Sequence, residues 1–400
     1  MGGAERHPFH REASAPDLGK AGPENPCPAI RRGRVTPCIA AACRSAVAPR
    51  GGALAKLELH ELAAPVLTAA LELAGIDPAD VDELILSNAL GAGGNPARSA
   101  ALAAGLPERV AGLTIDRQCA GGLDALLLAR AMILAGDARI VLAGGVESYS
   151  RRPIRSRRFA DGRAPEPYEQ APFTPWPDRD PDMTHAAHAL ALKCGICRAE
   201  QDEWARESHR KAMASPPGRA EVTPVGGLTK DPFARALSPA LCDRAKTLQG
   251  SITSANTAVA ADASAFCVVV SADVARALGG NFPRIISGAT LGGQPDLPGL
   301  APVAAIASAM DRAGMELKDM GSAEIMEAYA VQAIACQRGA GFDPAIVNRS
   351  GGALARGHPI GASGAVNAVR LYHEVLGDGR AGVAAIAAAG GIGTALVLAA

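Results

Sequence analysis

Two stretches of this 400-residue chain repeat one order of parts. "CAGGLDALLLARAMILAGDARIVLAGGVES" (119–148) runs from a glycine turn through an apolar helix and a short Gly-Asp break into a strand that ends in Gly-Gly. "GHPIGASGAVNAVRLYHEVLGDGRAGVAAIAAAGGIG" (357–393) runs through the same sequence of parts. Upstream of each lies another matching pair, "DPADVDELILSNA" and "LKDMGSAEIMEAY". Repetition on this scale predicts two similar halves rather than two unrelated domains, and it accounts for a chain longer than one ordinary core. Within each half, strands alternate with helices, which predicts a layered α/β fold around a largely parallel sheet.

Other segments fit that frame. "VTPCIAAACRSA" has a strand pattern, "ELAAPVLTAALELAGI" places apolar residues at helical spacing, and "AFCVVVSADVARAL" is a strand followed by a helix. Aromatic residues are only 3% of the chain, so Ala, Val, Leu and Ile must fill the core. Residues 1–33 are rich in Pro, Gly and charge and predict a flexible extension. From 151 to 250 the composition turns to Pro and Arg with little periodicity, a surface excursion with one clear helix, "AEQDEWARESHRKAMA". A formal net charge of zero and a pI near 7.1 give no reason to expect a nucleic-acid or acidic-membrane partner. The nine cysteines (27, 38, 43, 119, 194, 197, 242, 267 and 336) form no disulfide framework. With no secretory or membrane-spanning run read in the sequence, a reduced cytoplasmic location is expected.

Cys119 stands where an apolar strand-like run gives way to a helix. A thiol there feels the unpaired N–H groups of the helix N-terminus, which favours the thiolate. The small residues Ala120, Gly121 and Gly122 let a substrate chain approach.

The pieces "RQCAGGLDA", "LAGGVES", "EQDEWARESHRKA", "ITSANTAVAADASA", "EAYAVQ", "NRSGGALARGHPIGASGA" and "GGIGTALVLA" together resemble the thiolase family, in order and spacing, from about residue 34 to 400. The resemblance implies an α/β fold of five layers (αβαβα) from two similar halves. The first would comprise 34–150 plus 251–276, the inserted loop domain 151–250, and the second half 277–400. It also implies dimers or dimers of dimers and acyl-coenzyme A thioesters as substrates, with coenzyme A as the acyl carrier and no cofactor or metal. By the same resemblance Cys119 is the nucleophile and His358 the base that deprotonates it. The backbone N–H groups of Cys119 and Ala389 form the oxyanion hole, and Ala258, Met326, Gly390 and Gly391 fall at substrate-binding positions.

The chain also departs from the family pattern. The second catalytic cysteine, which moves protons on the α-carbon of the second substrate, is Ala387 in "AAAGGIG". The Asn of Asn-Glu-Ala-Phe, which orients an oxyanion-binding water, is Met326 in "MEAYA". Ala258 replaces a Ser and Gly121 another Ser, while Glu327 is kept. A lost acid/base costs about 10²–10⁴ in rate, and a lost oxyanion donor about 10²–10³. Both losses fall on Claisen condensation and leave acylation of Cys119 intact. The expected function is therefore an acyltransferase that loads Cys119 from an acyl-CoA or 3-ketoacyl-CoA and passes the acyl group to an acceptor that is already nucleophilic. One alternative is a true thiolase, an acetyl-CoA C-acetyltransferase with a substitute base; another is a non-catalytic acyl-CoA-binding subunit.

Two further signals compete with ordinary surface roles. "RRPIRSRR" (151–158) has the charge to bind coenzyme A phosphates, or is a solvated loop. Cys194 and Cys197 in "KCGICR", near His185 and His188, have zinc-like spacing, but are expected to share one helix face as ordinary packing.

Overall fold

The computed structural model describes residues 36–91 and 93–400; the extension expected at 1–33 lies outside the described residues. The first half supplies strand β1 (Cys38–Arg44), helix α1 (Leu59–Ala74), strands β2 (Glu83–Ser87) and β3 (Leu113–Ile115), helix α2 (Gly121–Ala135) and strand β4 (Ile140–Ser148). Helices α3 (Met183–Cys194) and α4 (Arg198–Ala214) follow before the chain returns as β5 (Ala261–Val270). The second half supplies β6 (Arg284–Gly292), α5 (Ala301–Ala313), β7 (Met320–Ile325), α6 (Ala330–Ala340), α7 (Ile360–Asp378), β8 (Ala381–Ala388) and β9 (Ile392–Ala399).

The repeat is visible in the pairing. The strands run β7-β8-β9-β6-β1-β5-β4-β2-β3. From the centre outward, β6, β9, β8 and β7 in one half answer β1, β5, β4 and β2 in the other. The halves meet edge to edge where Cys38 pairs with Arg284, flanked by bonds from Ile39 N–H to Pro283 O and Ile285 N–H to Pro37 O. β2 runs parallel to β4, and β7 parallel to β8, so each repeat carries a parallel crossover, and the first half adds a second where β2 runs parallel to β3. The largely parallel sheet expected from the alternation is not what forms. β1–β5, β5–β4, β6–β9, β8–β9 and β1–β6 are all antiparallel. For β8 and β9 the physical reason is the tight turn Ala389–Gly391, where Gly390 and Gly391 adopt φ of 78° and 80° and reverse the chain directly into β9. A reversal of this kind joins antiparallel neighbours, whereas parallel neighbours need a crossover.

Helices α2 and α7 pack against each other between the two halves of the sheet; α1 covers the outer face of the first half and α5 that of the second. This gives the five layers. The central core includes Leu123, Leu126, Val369 and Leu396, and separate apolar clusters lie under α1 and α5. The crossing of α2 and α7 demands glycine. A Cβ on Gly122 would lie 2.2 Å from Ala365 N, and one on Gly364 would lie 2.6 Å from Leu123 N. Both helices also end on left-handed glycines, Gly136 (φ 87°) and Gly379 (φ 68°). The stretch Gln118–Ala135 is apolar and long enough to span a bilayer by composition, contrary to expectation; in the fold α2 belongs to the middle layer, with Arg130 bonded to the carbonyls of Ile285 and Ile286.

Between 151 and 250 no strand joins the large sheet. The expected helix forms as α4, preceded by α3, which the irregular composition did not announce. Cys194 ends α3 and Cys197 caps α4, so the two thiols flank a turn at Gly195, both exposed, rather than sharing a helix face.

Candidate active site

Cys119 and His358 each stand two residues before the first residue of a central helix, α2 and α7 respectively. The packing of those helices brings Cys119 Sγ within 3.2 Å of His358 Nε2. Gln118 precedes the cysteine at φ 50°, a left-handed conformation that non-glycine residues rarely hold, and it turns the chain sharply into α2. His358 is fixed through its backbone N–H to Val259 O at 2.7 Å, and through Nδ1 to Ser363 Oγ at 2.7 Å. With Nδ1–H donated to Ser363, Nε2 is left to accept the thiol proton.

Burial sets the protonation of the pair. It pushes the Cys119 thiol up to about 12, aided by the charges of Glu147 and Asp116, and it pulls His358 down to about 4. The resting pair is therefore a neutral thiol beside a neutral imidazole. The thiolate expected from the helix N-terminus is overruled by desolvation and the two nearby carboxylates. Glu147, fully enclosed, accepts bonds from Asn88 Nδ2 (2.8 Å), Ala89 N–H (3.0 Å) and Gly361 N–H (3.0 Å), tying β4 to the start of α7. Burial raises its carboxyl to about 7.

The pair opens onto a cavity of about 400 Å³. Ala258, Ala387 and Ala389 line it, so the position of the second family cysteine faces the same space with a methyl group. The N–H groups of Cys119 and Ala389 donate no backbone hydrogen bond among the described residues. Gly390 and Gly391 shape the turn beyond Ala389: a Cβ on Gly391 would lie 2.7 Å from Gln294 O. Met326 does not line the cavity; at 2% exposure it is part of the central core. Its long apolar side chain packs inward, so the place that the resemblance assigns to substrate binding is a core position here.

Glu327 is a clamp rather than a proton carrier. It accepts from Trp204 Nε1 (3.0 Å), Ser208 Oγ (2.7 Å), Asn348 Nδ2 (2.8 Å) and Leu354 N–H (3.2 Å), joining α4 to the loop that leads to His358. Cys267 and Cys336 are fully buried in the core and do not line the cavity. Gly121, where the family has Ser, is explained by Ser87, whose Oγ would lie 2.1 Å from a Cβ at that position. Among the described residues no group of three or more His, Cys, Asp or Glu could hold a metal ion. The arginine run divides: Arg151 pairs with Glu58, Arg152 with Glu169, and Arg152 and Arg155 face the cavity. Ser363, Tyr149, Tyr329 and Gln332 complete the polar surroundings; of these Ser363 stood in a recognisable motif, and Tyr149 carried no distinguishing spacing.

Two thiolase domain descriptions match the chain, the N-terminal domain over residues 38–273 and the C-terminal domain over 281–400. The chain belongs to the thiolase family. An acetyl-CoA acetyltransferase of Pseudomonas aeruginosa is 38% identical over 392 residues, covering 90% of this chain and 98% of the relative. One of Cupriavidus necator is 39% identical over 390 residues with the same coverage. Among solved structures, the acetyl-CoA acetyltransferase of Bacillus anthracis superposes with a TM-score of 0.83 at 33% identity, over 92% of this chain and 99% of that one. A thiolase from Ascaris suum in complex with coenzyme A superposes at 0.84 and 28% identity, over 91% and 99%.

Proposed function

We propose that this thiolase-type acyltransferase loads an acyl group from coenzyme A onto Cys119 and passes it to an acceptor that needs no thiol to remove an α-proton. As Sγ attacks the thioester carbonyl, its proton passes to His358 Nε2. The C–S bond to coenzyme A then breaks, and the departing thiolate takes that proton back. The N–H groups of Cys119 and Ala389 are the donors proposed for the tetrahedral oxyanion. Acceptors of this kind are an amine, an alcohol, a carrier thiol or a preformed carbanion.

The observation that carries this reading is Ala387 on the cavity wall that Cys119 and His358 share, with Cys119 the one cysteine lining that cavity among the described residues. A true thiolase is the second reading. It is favoured by end-to-end likeness to two relatives named acetyl-CoA acetyltransferase, and it requires a substitute base. Thiolysis of acetoacetyl-CoA by wild type and by Ala387→Cys separates the two. The proposal expects weak wild-type thiolysis and a gain of about 100-fold or more in the variant; strong wild-type thiolysis establishes the second reading. Mass spectrometry of the intact protein after mixing with acyl-CoA donors tests the acyl-enzyme itself, with Cys119→Ala as control. No adduct from any donor leaves a binding subunit. A homo-oligomer in a reducing cytoplasm remains the proposed setting.

A further inference from the structure

The cavity at Cys119 does not end in an apolar wall on every side. Tyr149 lines it together with Cys119, and the Arg152 guanidinium sits 5.5 Å from the Tyr149 ring centre. Beyond them a second chamber of about 330 Å³ shares Tyr149, Arg152 and Arg155 with the first. Arg152 is paired with Glu169, whose side chain is 81% exposed. Arg155 differs. One of its nitrogens donates to Ala89 O at 3.1 Å, which orients the guanidinium, and among the described residues it has no carboxylate partner. Arg50 lines the second chamber as well. Three guanidinium groups thus face the joined space against two carboxylates, Glu169, which pairs with Arg152, and Asp182, which accepts from Thr184 N–H at the start of α3; Arg155 is left half-buried with no counter-charge of its own. Its planar fork suits a carboxylate.

We propose that Arg155, with Arg152 beside it, binds a carboxylate at the far end of the acyl group, so that the preferred donors are coenzyme A half-thioesters of dicarboxylic acids. This rests on the acyl-Cys119 reading. The phosphates of coenzyme A do not suit the same place. They hang at the far end of the pantetheine arm from the sulfur delivered to Cys119, whereas Arg152 and Arg155 line the cavity onto which the thiol itself opens.

Rates of Cys119 loading, read by mass spectrometry of the intact protein, test the proposal with chain-matched pairs: succinyl- against butyryl-CoA, glutaryl- against valeryl-CoA, and adipyl- against hexanoyl-CoA. Wild type is expected to favour the acidic member of at least one pair by about 10- to 100-fold. Arg155→Met is expected to abolish that preference while still loading neutral donors, and Arg155→Lys to keep part of it. Equal loading of both members, or a preference untouched by Arg155→Met, overturns the proposal and leaves the acyl-enzyme standing. A loss in Arg155→Met that is equal for all coenzyme A donors, and absent with N-acetylcysteamine thioesters, assigns the arginine to phosphate and overturns it too. So does a defect confined to discharge by carboxylate-bearing acceptors. No adduct from any donor removes the acyl-enzyme reading and this inference with it.

Discussion

Cys119 Sγ and His358 Nε2 lie 3.2 Å apart although 239 residues separate them in sequence. The contact follows from the internal repeat, because each residue precedes one of the two helices that cross at Gly122 and Gly364. Burial drives the two groups apart in proton affinity, the thiol to about 12 and the imidazole to about 4. Attack therefore requires transfer of the thiol proton to His358 within the reaction, not a pre-formed thiolate. The loading rate is expected to fall below about pH 4, as protonation removes the base, and to show no limb near the ordinary histidine value of about 6.5. Stopped-flow loading or iodoacetamide labelling of Cys119 between pH 3 and 10, in wild type and in Glu147→Gln, checks this; a limb at pH 6–7 that persists in the variant would mean that His358 titrates normally, whereas one lost in the variant belongs to Glu147, whose carboxyl burial raises to about 7. Replacing His358 with Asn is expected to slow loading by about 10²–10⁴.

Ser363 acts through His358. Its hydroxyl, 2.7 Å from Nδ1, holds the ring with Nε2 toward the thiol. Ser363→Ala removes one hydrogen bond worth about 1 kcal/mol, and is expected to slow loading about five- to tenfold without altering the KM for the donor. An effect on KM alone would place Ser363 in substrate binding instead. Ser363→Thr, which keeps the hydroxyl, is expected to recover part of the rate if its methyl fits.

The order of elements was legible because each repeat carries its own punctuation: a glycine turn, an apolar helix, a glycine stop and a buried strand. Strand direction was not, since β4 and β8 are covered on both faces and their unbroken apolar runs look the same in parallel and antiparallel sheets. Cys119 and His358, the residues proposed as nucleophile and base, were legible through their motifs, and the structure brings them together. Their protonation was not: the desolvation of Cys119 and the proximity of Glu147 arise from β4 and the helix pair assembling around them. Met326 shows the same limit in reverse. Its place in a motif suggested the substrate cavity, while its side chain turned into the core. Arg155 was one of five arginines in a run, and only folding separates the two that face the cavity from those at the surface.

Gly122 is expected to be the least tolerant position of α2. Any side chain there meets the backbone of α7, with a Cβ 2.2 Å from Ala365 N, and backbone cannot swing aside as a side chain does. Gly122→Ala is expected to destabilise by about 1–3 kcal/mol or more, as overpacking does, and to separate the helices that carry Cys119 and His358. Thermal unfolding together with Cys119 loading checks this: a stable variant with wild-type loading would mean that the crossing can widen without moving the pair.

The buried ion network sets the acid limit of the fold. Arg44, wholly enclosed, bonds Glu221 and both carboxylate oxygens of Asp231; Arg370 reaches Glu221 and Glu374, and Arg356 reaches Asp231 two residues before His358. Against the burial that opposes its charge, Arg44 first, then Arg370 and Arg356 and, less strongly, His373, hold Glu221 down at about 2. A carboxylate held below its unfolded value of about 4.3 contributes stability that is fully present above that pH and is lost as the pH falls toward 2. Glu147 and Glu324, raised to about 7 chiefly by burial, act oppositely between about 4.3 and 7. The clean readout is therefore the difference between wild type and Glu221→Gln. At pH 7 the variant is expected to lose about 3–5 kcal/mol, because the arginines keep their charge without its partner. Denaturant unfolding should show that gap narrowing as the pH drops from about 4.3 toward 2, where wild type loses the same charge. A gap independent of pH would mean that Glu221 holds Arg44 and Arg370 by shape and hydrogen bonding rather than by its charge.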